Sequence, residues 1–178
     1  MVNCFICSSN CRRIINKNGI DFEYKIKGNF DYYQCKKCSN IELLPRPNSD
    51  EINSYYPLEY HSYKRPSQKL FIFLSNINKN KRVKRFRKLI GKSGKILDVG
   101  CGDGEILEAL SSYDCFGIEI KEEIAKKGIK KGLKIEHAIF EDNNFFNSEK
   151  FNLLIMNHLI EHFQYPKKAM EVAFQRLE

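Results

Sequence analysis

The sequence predicts an α/β fold in which helices flank a parallel sheet and a small cysteine-bearing β-hairpin precedes that sheet. Three observations favour this class. Short apolar segments alternate with helical patterns from residue 95 onward, as in strands joined by right-handed crossovers. One of those segments runs into a glycine-rich turn, and two Cys-x-x-Cys pairs enclose the predicted hairpin. The predicted regions are therefore a hairpin domain, 1–46, a connector, 47–93, and a sheet domain, 94–178.

The hairpin domain is predicted to be a zinc ribbon. Ile20–Lys27 alternates apolar and charged residues, as a half-buried strand does. Gly28 and Asn29 predict a turn, and Phe30–Gln34 predicts the returning strand. Tetrahedral coordination by four thiolates is what structural zinc prefers, and the candidate ligands are Cys4, Cys7, Cys35 and Cys38. Such a zinc would be structural, because four protein ligands leave no open position; the alternative is four unliganded core thiols.

The connector is predicted to be helical and basic. A first helix is expected to start near Ser49, and a second to run over 66–90 with Gly91 at its end. Residues 64–95 contain 12 basic and no acidic side chains, although the net charge of the whole chain is only +8. The basic character is therefore concentrated between two roughly neutral or acidic parts.

The sheet domain is predicted to contain four strands and three helices. The strands are short apolar runs: Lys95–Val99, Cys115–Ile120, Leu133–Ile139 and Phe151–Met156. The helices are Glu105–Tyr113, Lys121–Lys131 and Pro166–Leu177. Because strands and helices alternate, the strands are expected to lie parallel, with helices on the faces of the sheet.

The strongest motif is ILDVGCGDGEIL, in which the first strand of this domain enters a glycine-rich turn and a helix follows. Asp98 precedes three alternate glycines, Gly100, Gly102 and Gly104, which permit a sharp turn and a close approach of the backbone to a ligand. Glu119 lies 21 residues after Asp98 and ends the next strand, where a carboxylate can accept both ribose hydroxyls. The pattern predicts an adenosine-containing ligand. It differs from the G-x-G-x-x-G of dinucleotide enzymes, and no phosphate-loop motif occurs.

The segments DVGCGDG, GIEI and FNLLIMNHLIEHFQYP resemble the class I S-adenosylmethionine-dependent methyltransferases over residues 94–178. The segment around YYQCKKCSNIELLPRP is similar to members of that family that carry a zinc-binding ribbon before the catalytic domain, several of which act on sugars. The resemblance implies a Rossmann-like enzyme that uses S-adenosylmethionine, with structural Zn²⁺ in its ribbon. It also implies a small-molecule methyl acceptor, with a sugar or polysaccharide precursor as the candidate.

The same resemblance implies roles for individual residues. The methionine end of the cofactor would be lined by Asp98, Gly100, Cys101 and Gly102. Its ribose would be held by Glu119 and its adenine would pack on Ile120. The edge of the adenine would be contacted from the segment Phe140–Asp142, with Phe140 and Glu141 as the first candidates and Asp142 as the alternative. Asn157 and His158 would face the methyl group, and Asn152 stands where the family usually has an acid.

The string NHLIEHF contains H-x-x-E-H, which on a helix is a zinc-peptidase pattern. Here it directly follows the buried strand Phe151–Met156, so we expect it in a loop over the active centre instead. His158 and His162 are the candidate general bases, because imidazole titrates near neutral pH. A structural role for Glu161 and His162 is the alternative.

RNA is the alternative ligand class. A zinc ribbon next to a basic helix is compatible with a ribosomal RNA methyltransferase or a nucleic-acid-binding module. The second cysteine pair, Cys35 and Cys38, argues against an RNA ligand. In zinc-containing ribosomal RNA methyltransferases the corresponding pair of zinc ligands combines Cys with His. The simpler interpretation of the basic run is a solvated helix face, with Val83, Phe86 and Leu89 packed on the domain.

The sequence has no signal-peptide pattern and no apolar stretch long enough to span a bilayer, so a cytoplasmic protein without a membrane partner is expected. It predicts no particular oligomeric state. The family has seven strands and only four are predicted here, so we expect the fourth strand to expose an edge and the chain to be a truncated fragment of weak or no activity.

Overall fold

The computed structural model describes the following residues: 3–22, 24–26, 28–46, 51 and 69–178. The chain divides into two compact units, one built on the N-terminal residues and the other on the long helix and sheet that follow. The helix start predicted near Ser49 and the first residues of the second predicted helix lie outside the described residues. The predicted domain boundaries stay predictions.

The N-terminal unit is a three-stranded antiparallel sheet in the order β1-β2-β3. Its strands are β1 (Arg12–Gly19), β2 (Phe30–Cys35) and β3 (Ile41–Leu44). Arg12 pairs with Cys35 and Gln34 pairs with Ile41, so β2 is the central strand. This register brings the second cysteine pair beside the start of β1, close to the first pair.

The first strand of this sheet is Arg12–Gly19, whereas the alternation of apolar and charged residues predicted a strand at Ile20–Lys27. The described residues of 20–27 form no strand, and the side chains of Ile20 and Phe22 are 59% and 74% exposed. The carboxylate of Asp21 accepts the backbone N–H groups of Tyr24 and Ile26 at 3.2 Å each. These local hydrogen bonds replace those of a sheet ladder, which is why an alternating sequence forms a loop here.

The second unit contains a parallel four-stranded sheet in the order β6-β5-β4-β7. Its strands are β4 (Lys95–Val99), β5 (Asp114–Glu119), β6 (Lys134–His137) and β7 (Leu153–Met156). The chain moves outward from β4 to β6 and then returns to the other side of β4, so the strand order reverses there. Ligands of open α/β sheets bind outside the carboxyl ends of the strands at such a reversal. The predicted fold class is confirmed.

Four helices accompany this sheet: α1 (Lys69–Ile90), α2 (Glu105–Ala109), α3 (Glu122–Lys130) and α4 (Pro166–Arg176). Short 3₁₀ turns occur at Phe140–Asp142, Phe146–Ser148 and Ile160–His162. Helix α1 ends as predicted at Gly91, whose φ is +80° and whose N–H donates to the carbonyl of Arg87. No helix in the described parts of the chain is long and apolar enough to cross a membrane.

Both faces of the sheet are covered by apolar side chains. On one face, Val83 of α1 packs with Ile96 and Ile155, and Phe86 and Ile90 join this cluster. On the other face, half of the buried residues in the cluster are phenylalanines: Phe116, Phe140, Phe145, Phe151 and Phe163. The predicted packing of α1 on the domain is therefore confirmed for Val83 and Phe86. It is wrong for Leu89, whose side chain is exposed, whereas that of Ile90 joins the cluster.

Candidate functional site

The glycine turn follows β4 directly and has a left-handed backbone at each of its alternate glycines. The φ angles of Gly100, Gly102 and Gly104 are +71°, +58° and +87°. A Cβ atom on Gly102 would meet no heavy atom within 4 Å, so the space above the middle of the turn is open. The φ of Gly104 favours glycine, and a Cβ atom there would lie 2.2 Å from Cδ1 of Leu133, so the Leu133 side chain would have to move to admit any other residue.

Hydrogen bonds attach this turn to the end of β5. The N–H groups of Gly100 and Cys101 donate to the carbonyl of Ile118 at 2.8 and 3.0 Å. The N–H of Gly102 donates to Oε2 of Glu119 at 3.0 Å, and Oε1 of the same carboxylate accepts the N–H of Lys121 at 2.9 Å. Two sequence-predicted site residues, a turn glycine and the distal acid, are thus in direct contact.

Asp98 and Glu119 give the site two buried carboxyl groups, which are 5% and 3% exposed. Burial raises the pKa of Asp98 to about 7, the negative charge of Glu119 raises it further, and the positive charge of Arg82 opposes both effects. Burial likewise raises the pKa of the Cys101 thiol, so this side chain is a neutral small residue. Two buried acids favour a cationic ligand and disfavour a phosphate group.

The residues predicted to contact adenine lie beyond β5 and β6. Ile120 is half-buried directly after Glu119. Phe140 and Glu141 are both buried in the 3₁₀ turn that follows β6. The ring of Phe140 stacks on that of Phe163 with centroids 5.8 Å apart, so it belongs to the aromatic core below this turn.

The loop after β7 passes over the glycine turn. Asn157 and His158 are exposed, and His158 has the uncommon φ of +51°. Cδ1 of Leu159 lies 3.0 Å from the position that a Cβ atom on Gly100 would occupy. This contact brings the loop bearing Asn157 and His158 to the same end of the sheet as the glycine turn.

The second candidate base is half-buried in a short turn. His162 ends the 3₁₀ turn Ile160–His162, and its N–H donates to the carbonyl of Leu159 at 2.9 Å. Because His158 lies before this turn with a left-handed backbone, H-x-x-E-H does not form one helical face. The metallopeptidase alternative is therefore excluded by the local backbone.

The four predicted zinc ligands converge in the N-terminal unit. The sulfur atoms of Cys4, Cys7, Cys35 and Cys38 all lie within 4.8 Å of one another. Two of the Sγ–Sγ distances are 3.6 Å, from Cys4 to Cys38 and from Cys7 to Cys35. A tetrahedron with Zn–S bonds of about 2.3 Å has edges of about 3.8 Å, so these four thiols fit zinc. Cys11 is exposed and outside this group.

Glu42 accepts a hydrogen bond from the loop between Cys4 and Cys7, and the sequence did not predict this role. Its Oε1 accepts the N–H of Phe5 at 2.7 Å, between Cys4 and Cys7. Its Oε2 lies 2.7 Å from the guanidinium of Arg12, and both side chains are nearly buried. A single Glu in a strand with few charges carries no sequence signal for this role.

Comparisons with known proteins agree with this geometry. Residues 72–178 match a family model described as a methyltransferase domain. A relative from Methanocaldococcus jannaschii, "Uncharacterized protein MJ1123", is 32% identical over 80 residues, or 45% of this chain and 38% of the relative. The chain therefore spans well under half of that relative's length.

Two solved structures are similar in fold at low identity. The plantazolicin methyltransferase BpumL, in complex with a pentazolic desmethylPZN analog and SAH, is 20% identical with a TM-score of 0.52, over 74% of this chain and 50% of that chain. The SAM-dependent methyltransferase TM1293 of Thermotoga maritima is 20% identical with a TM-score of 0.53, over 72% and 56%. The family match over more than half of the chain, the parallel sheet and the glycine turn show that this chain belongs to the class I S-adenosylmethionine-dependent methyltransferases.

Proposed function

We propose that this protein transfers a methyl group from S-adenosylmethionine to a small-molecule acceptor, with a sugar or polysaccharide precursor as the first candidate. The observation that carries the proposal is the hydrogen bond between Gly102 and Glu119, with Asp98 buried beside it. This arrangement offers an open glycine turn and two buried carboxyl groups at the reversal of the strand order. Such a site matches a donor with a ribose diol and two positive charges better than it matches a dinucleotide.

The donor would be held in three parts. Asp98 and the turn Gly100–Gly102 would bind its methionine end, and Glu119 would accept its ribose hydroxyls. Its adenine would lie against Ile120 and the turn Phe140–Asp142. When bound, S-adenosylmethionine supplies a methyl group on a positively charged sulfur, which is reactive towards an oxygen, nitrogen or carbon nucleophile.

The acceptor would be activated from the loop after β7. His158 is exposed at the end of the sheet where the glycine turn lies, and an imidazole there can take the proton of an acceptor hydroxyl. Asn157 beside it can orient the acceptor by hydrogen bonds. His162 is the second candidate base, but its side chain is more buried than that of His158.

The zinc ion would be structural. Four thiols at the observed separations complete a tetrahedron, so no position remains for a substrate or water. Its role would be to stabilise the fold of the ribbon, because the described residues of the N-terminal unit form a short three-stranded sheet and include few buried apolar side chains.

Calorimetry with S-adenosylhomocysteine and with NAD⁺ tests the donor. We expect one site for the former and no binding of the latter. Binding of NAD⁺ instead would overturn the proposal, as would the absence of any binding of S-adenosylhomocysteine.

Transfer of a labelled methyl group tests the acceptor class. We expect slow incorporation of label into members of a panel of free and nucleotide-linked sugars and none into ribosomal RNA fragments. Label in RNA would replace the small-molecule acceptor by the RNA alternative, while leaving the donor site intact.

A further inference from the structure

The N-terminal unit contains a cavity of about 430 Å³ on one face of its three-stranded sheet. Sites for small molecules have volumes of roughly 300–1,000 Å³, so this cavity is large enough for a small ligand. Its described lining residues are Phe5, Asp31, Tyr33, Leu44, Pro45 and Arg46. All of them belong to the N-terminal unit, and none is a candidate zinc ligand. The cavity is therefore a candidate binding site in addition to the zinc cluster.

The central strand β2 supplies two polar side chains to this cavity. Asp31 and Tyr33 are two residues apart, so both lie on the same face of the sheet, and both are half-buried. Oδ1 of Asp31 accepts the N–H of Asn18 at 2.9 Å, which orients the carboxylate. Among the described residues, neither Oδ2 of Asp31 nor the hydroxyl of Tyr33 has a hydrogen-bond partner. Two adjacent polar groups are thus open to a ligand.

Arg46 and Phe5 form another part of the lining and are stacked on each other. The guanidinium of Arg46 lies over the ring of Phe5, with its central carbon 3.8 Å from the centroid. A guanidinium N–H donates to the backbone carbonyl of Gln164, which belongs to the same compact unit. In the described parts of the chain, the ring of Tyr33 stacks on no other ring or cation. Tyr33 is therefore the aromatic surface on which a ligand can pack.

The charges at the cavity disfavour an ionic ligand. The carboxylate of Asp31 repels an anion, and the guanidinium of Arg46 repels a cation. The ligand that fits is neutral, donates hydrogen bonds to a carboxylate and packs an apolar face on one aromatic ring. A pyranose sugar has these properties, because its hydroxyl groups donate from its edge and C–H bonds cover its faces.

A nucleobase fits this cavity less well than a sugar does. Bases bind by stacking on aromatic rings or on guanidinium planes. The Arg46 guanidinium and the Phe5 ring already stack on each other, so one ring remains. The other walls, Leu44 and Pro45, are aliphatic and suit the C–H bonds of a saturated ring.

We propose that this cavity is a sugar-binding site of the N-terminal unit, in which a pyranose ring packs on Tyr33 and donates hydrogen bonds from its hydroxyl groups to Asp31. The inference goes beyond the proposed function, because this binding needs neither the methyl donor nor the glycine turn. Its link to catalysis alone rests on the proposed function: the N-terminal unit would bind a sugar of the polysaccharide precursor that is not itself methylated. Recognition of the acceptor would then come partly from outside the sheet domain.

A two-dimensional NMR titration of the full chain in the presence of zinc tests this inference. The probes are the methyl glycosides of glucose, galactose and mannose, together with maltose and cellobiose. We expect at least one of these sugars to shift the amide signals of residues 31–33 and 43–45 in β2 and β3. The signals of β4–β7 should stay in place at the same sugar concentrations.

Three variants identify the side chains that bind the sugar. Tyr33→Ala should lower the affinity at least about tenfold, because it removes the stacking surface. Asp31→Asn should lower it about three- to tenfold, because an amide is a weaker acceptor than a carboxylate. The matched control is Tyr32→Ala, in the neighbouring tyrosine on the opposite face of β2, which is 40% exposed. Its affinity should change less than about twofold.

Adenosine and tetramethylammonium probe the nucleobase and cation alternatives. Tighter binding of either one than of every sugar would overturn the inference, as would the absence of sugar-induced shifts in β2 and β3 of the wild type. Equal losses in Tyr33→Ala and Tyr32→Ala would also overturn it. No titration here contains a methyl donor, so failure of the proposed function is detected separately, by calorimetry with S-adenosylhomocysteine.

Zinc content and thermal unfolding show whether each variant is folded. If Tyr33→Ala is not folded, Asp31→Asn and Tyr33→Phe decide, because Tyr33→Phe keeps the ring and loses only the hydroxyl. A loss of sugar affinity in Asp31→Asn with most of the affinity kept in Tyr33→Phe supports the site. Wild-type affinity in Asp31→Asn would show that the carboxylate does not bind the sugar.

Discussion

The backbone N–H of Gly102 donates to Oε2 of Glu119 at 3.0 Å, which links the glycine turn of one strand to the last residue of the next. The other oxygen of that carboxylate accepts the N–H of Lys121. One buried acid thus holds both the turn after β4 and the start of the segment after β5. Together with the backbone hydrogen bonds from Gly100 and Cys101 to Ile118, this side chain sets the position of the glycine turn relative to β5.

The substitution Glu119→Gln is expected to weaken the binding of S-adenosylhomocysteine by about ten- to a hundredfold, because it removes a charged acceptor. An amide has only one acceptor oxygen, so either Gly102 or Lys121 loses its partner. The matched control is Glu108→Gln, on an exposed position of α2. Calorimetry measures the affinity of both variants for S-adenosylhomocysteine. Equal affinities in the two variants would show that Glu119 does not contact the ligand.

The affinity for S-adenosylmethionine is expected to rise between pH 6 and pH 8 and then to level off. The pKa of Asp98 is raised to about 7, and a cationic ligand binds the ionised form. Below pH 7 the carboxyl group must lose its proton on binding, which costs affinity. Titrations at several pH values measure this slope, and Asp98→Asn should abolish it. A slope that persists in Asp98→Asn would assign the titration to another group.

Asp98 is also expected to lower the stability of the ligand-free protein above about pH 4. Its pKa in the folded state is about 7 against an ordinary value of 3.8, so the folded protein binds the proton more tightly than the unfolded chain. Stability therefore falls as the pH rises from about 4 to 7, by up to about 4 kcal/mol at about 1.4 kcal/mol per pH unit. Asp98→Asn should be the more stable protein at pH 8 and close to the wild type near pH 4.

Urea unfolding of both proteins across this range measures the difference between them. A constant difference from pH 4 to pH 8 would contradict the raised pKa of Asp98. A difference that grows over this range, together with the loss of ligand affinity in Asp98→Asn, would show that the buried acid is kept for binding at a cost in stability.

The glycine turn and the four strands of the second unit could be predicted because their signals are local. Alternate glycines mark a backbone that other residues adopt with strain, and a short apolar run marks a strand buried on both faces. The first strand of the ribbon could not be predicted in this way. Arg12–Gly19 has no apolar alternation and is a strand because it pairs with β2, whereas the alternating segment after it is held in a loop by Asp21.

Charged residues with structural roles were missed for a related reason. Arg82 lies in a basic run and Glu42 in a short strand, and in a sequence both resemble solvated positions. Their roles depend on tertiary packing, because the charge of Arg82 lowers the pKa of Asp98 and the carboxylate of Glu42 accepts the N–H of Phe5. Local pattern carries no information about such contacts.

One zinc ion per chain is expected by elemental analysis, and its removal should unfold the N-terminal unit. Structural zinc contributes about 10–16 kcal/mol in small zinc domains, which is more than this short sheet can supply by burial. Cys4→Ser should lose the metal, and Cys11→Ser is the control, because Cys11 is exposed and outside the cluster. Hydrogen exchange should show lost protection in β1–β3 and retained protection in β4–β7. A wild type that purifies without metal and keeps β1–β3 protected would refute the zinc site.

Arg176 is expected to be a stabilising residue of the second unit, although it is a charged side chain at the end of a helix. It is 3% exposed and donates to four oxygens, which are Oδ1 and the carbonyl of Asn143 and the carbonyls of Phe145 and Glu149. Its guanidinium also lies over the ring of Phe145, 4.1 Å from the centroid. It therefore fixes the loop that follows the turn Phe140–Asp142.

Lysine lacks the planar guanidinium with its several N–H groups, so Arg176→Lys leaves several carbonyl groups without donors. We expect a loss of about 3 kcal/mol in the free energy of unfolding, as for other broken buried networks, against less than about 0.5 kcal/mol for the exposed control Arg85→Lys. Urea unfolding measures both values, and hydrogen exchange locates the loss in residues 140–149. A loss spread evenly over the sheet, or none at all, would show that the four hydrogen bonds do not hold this loop.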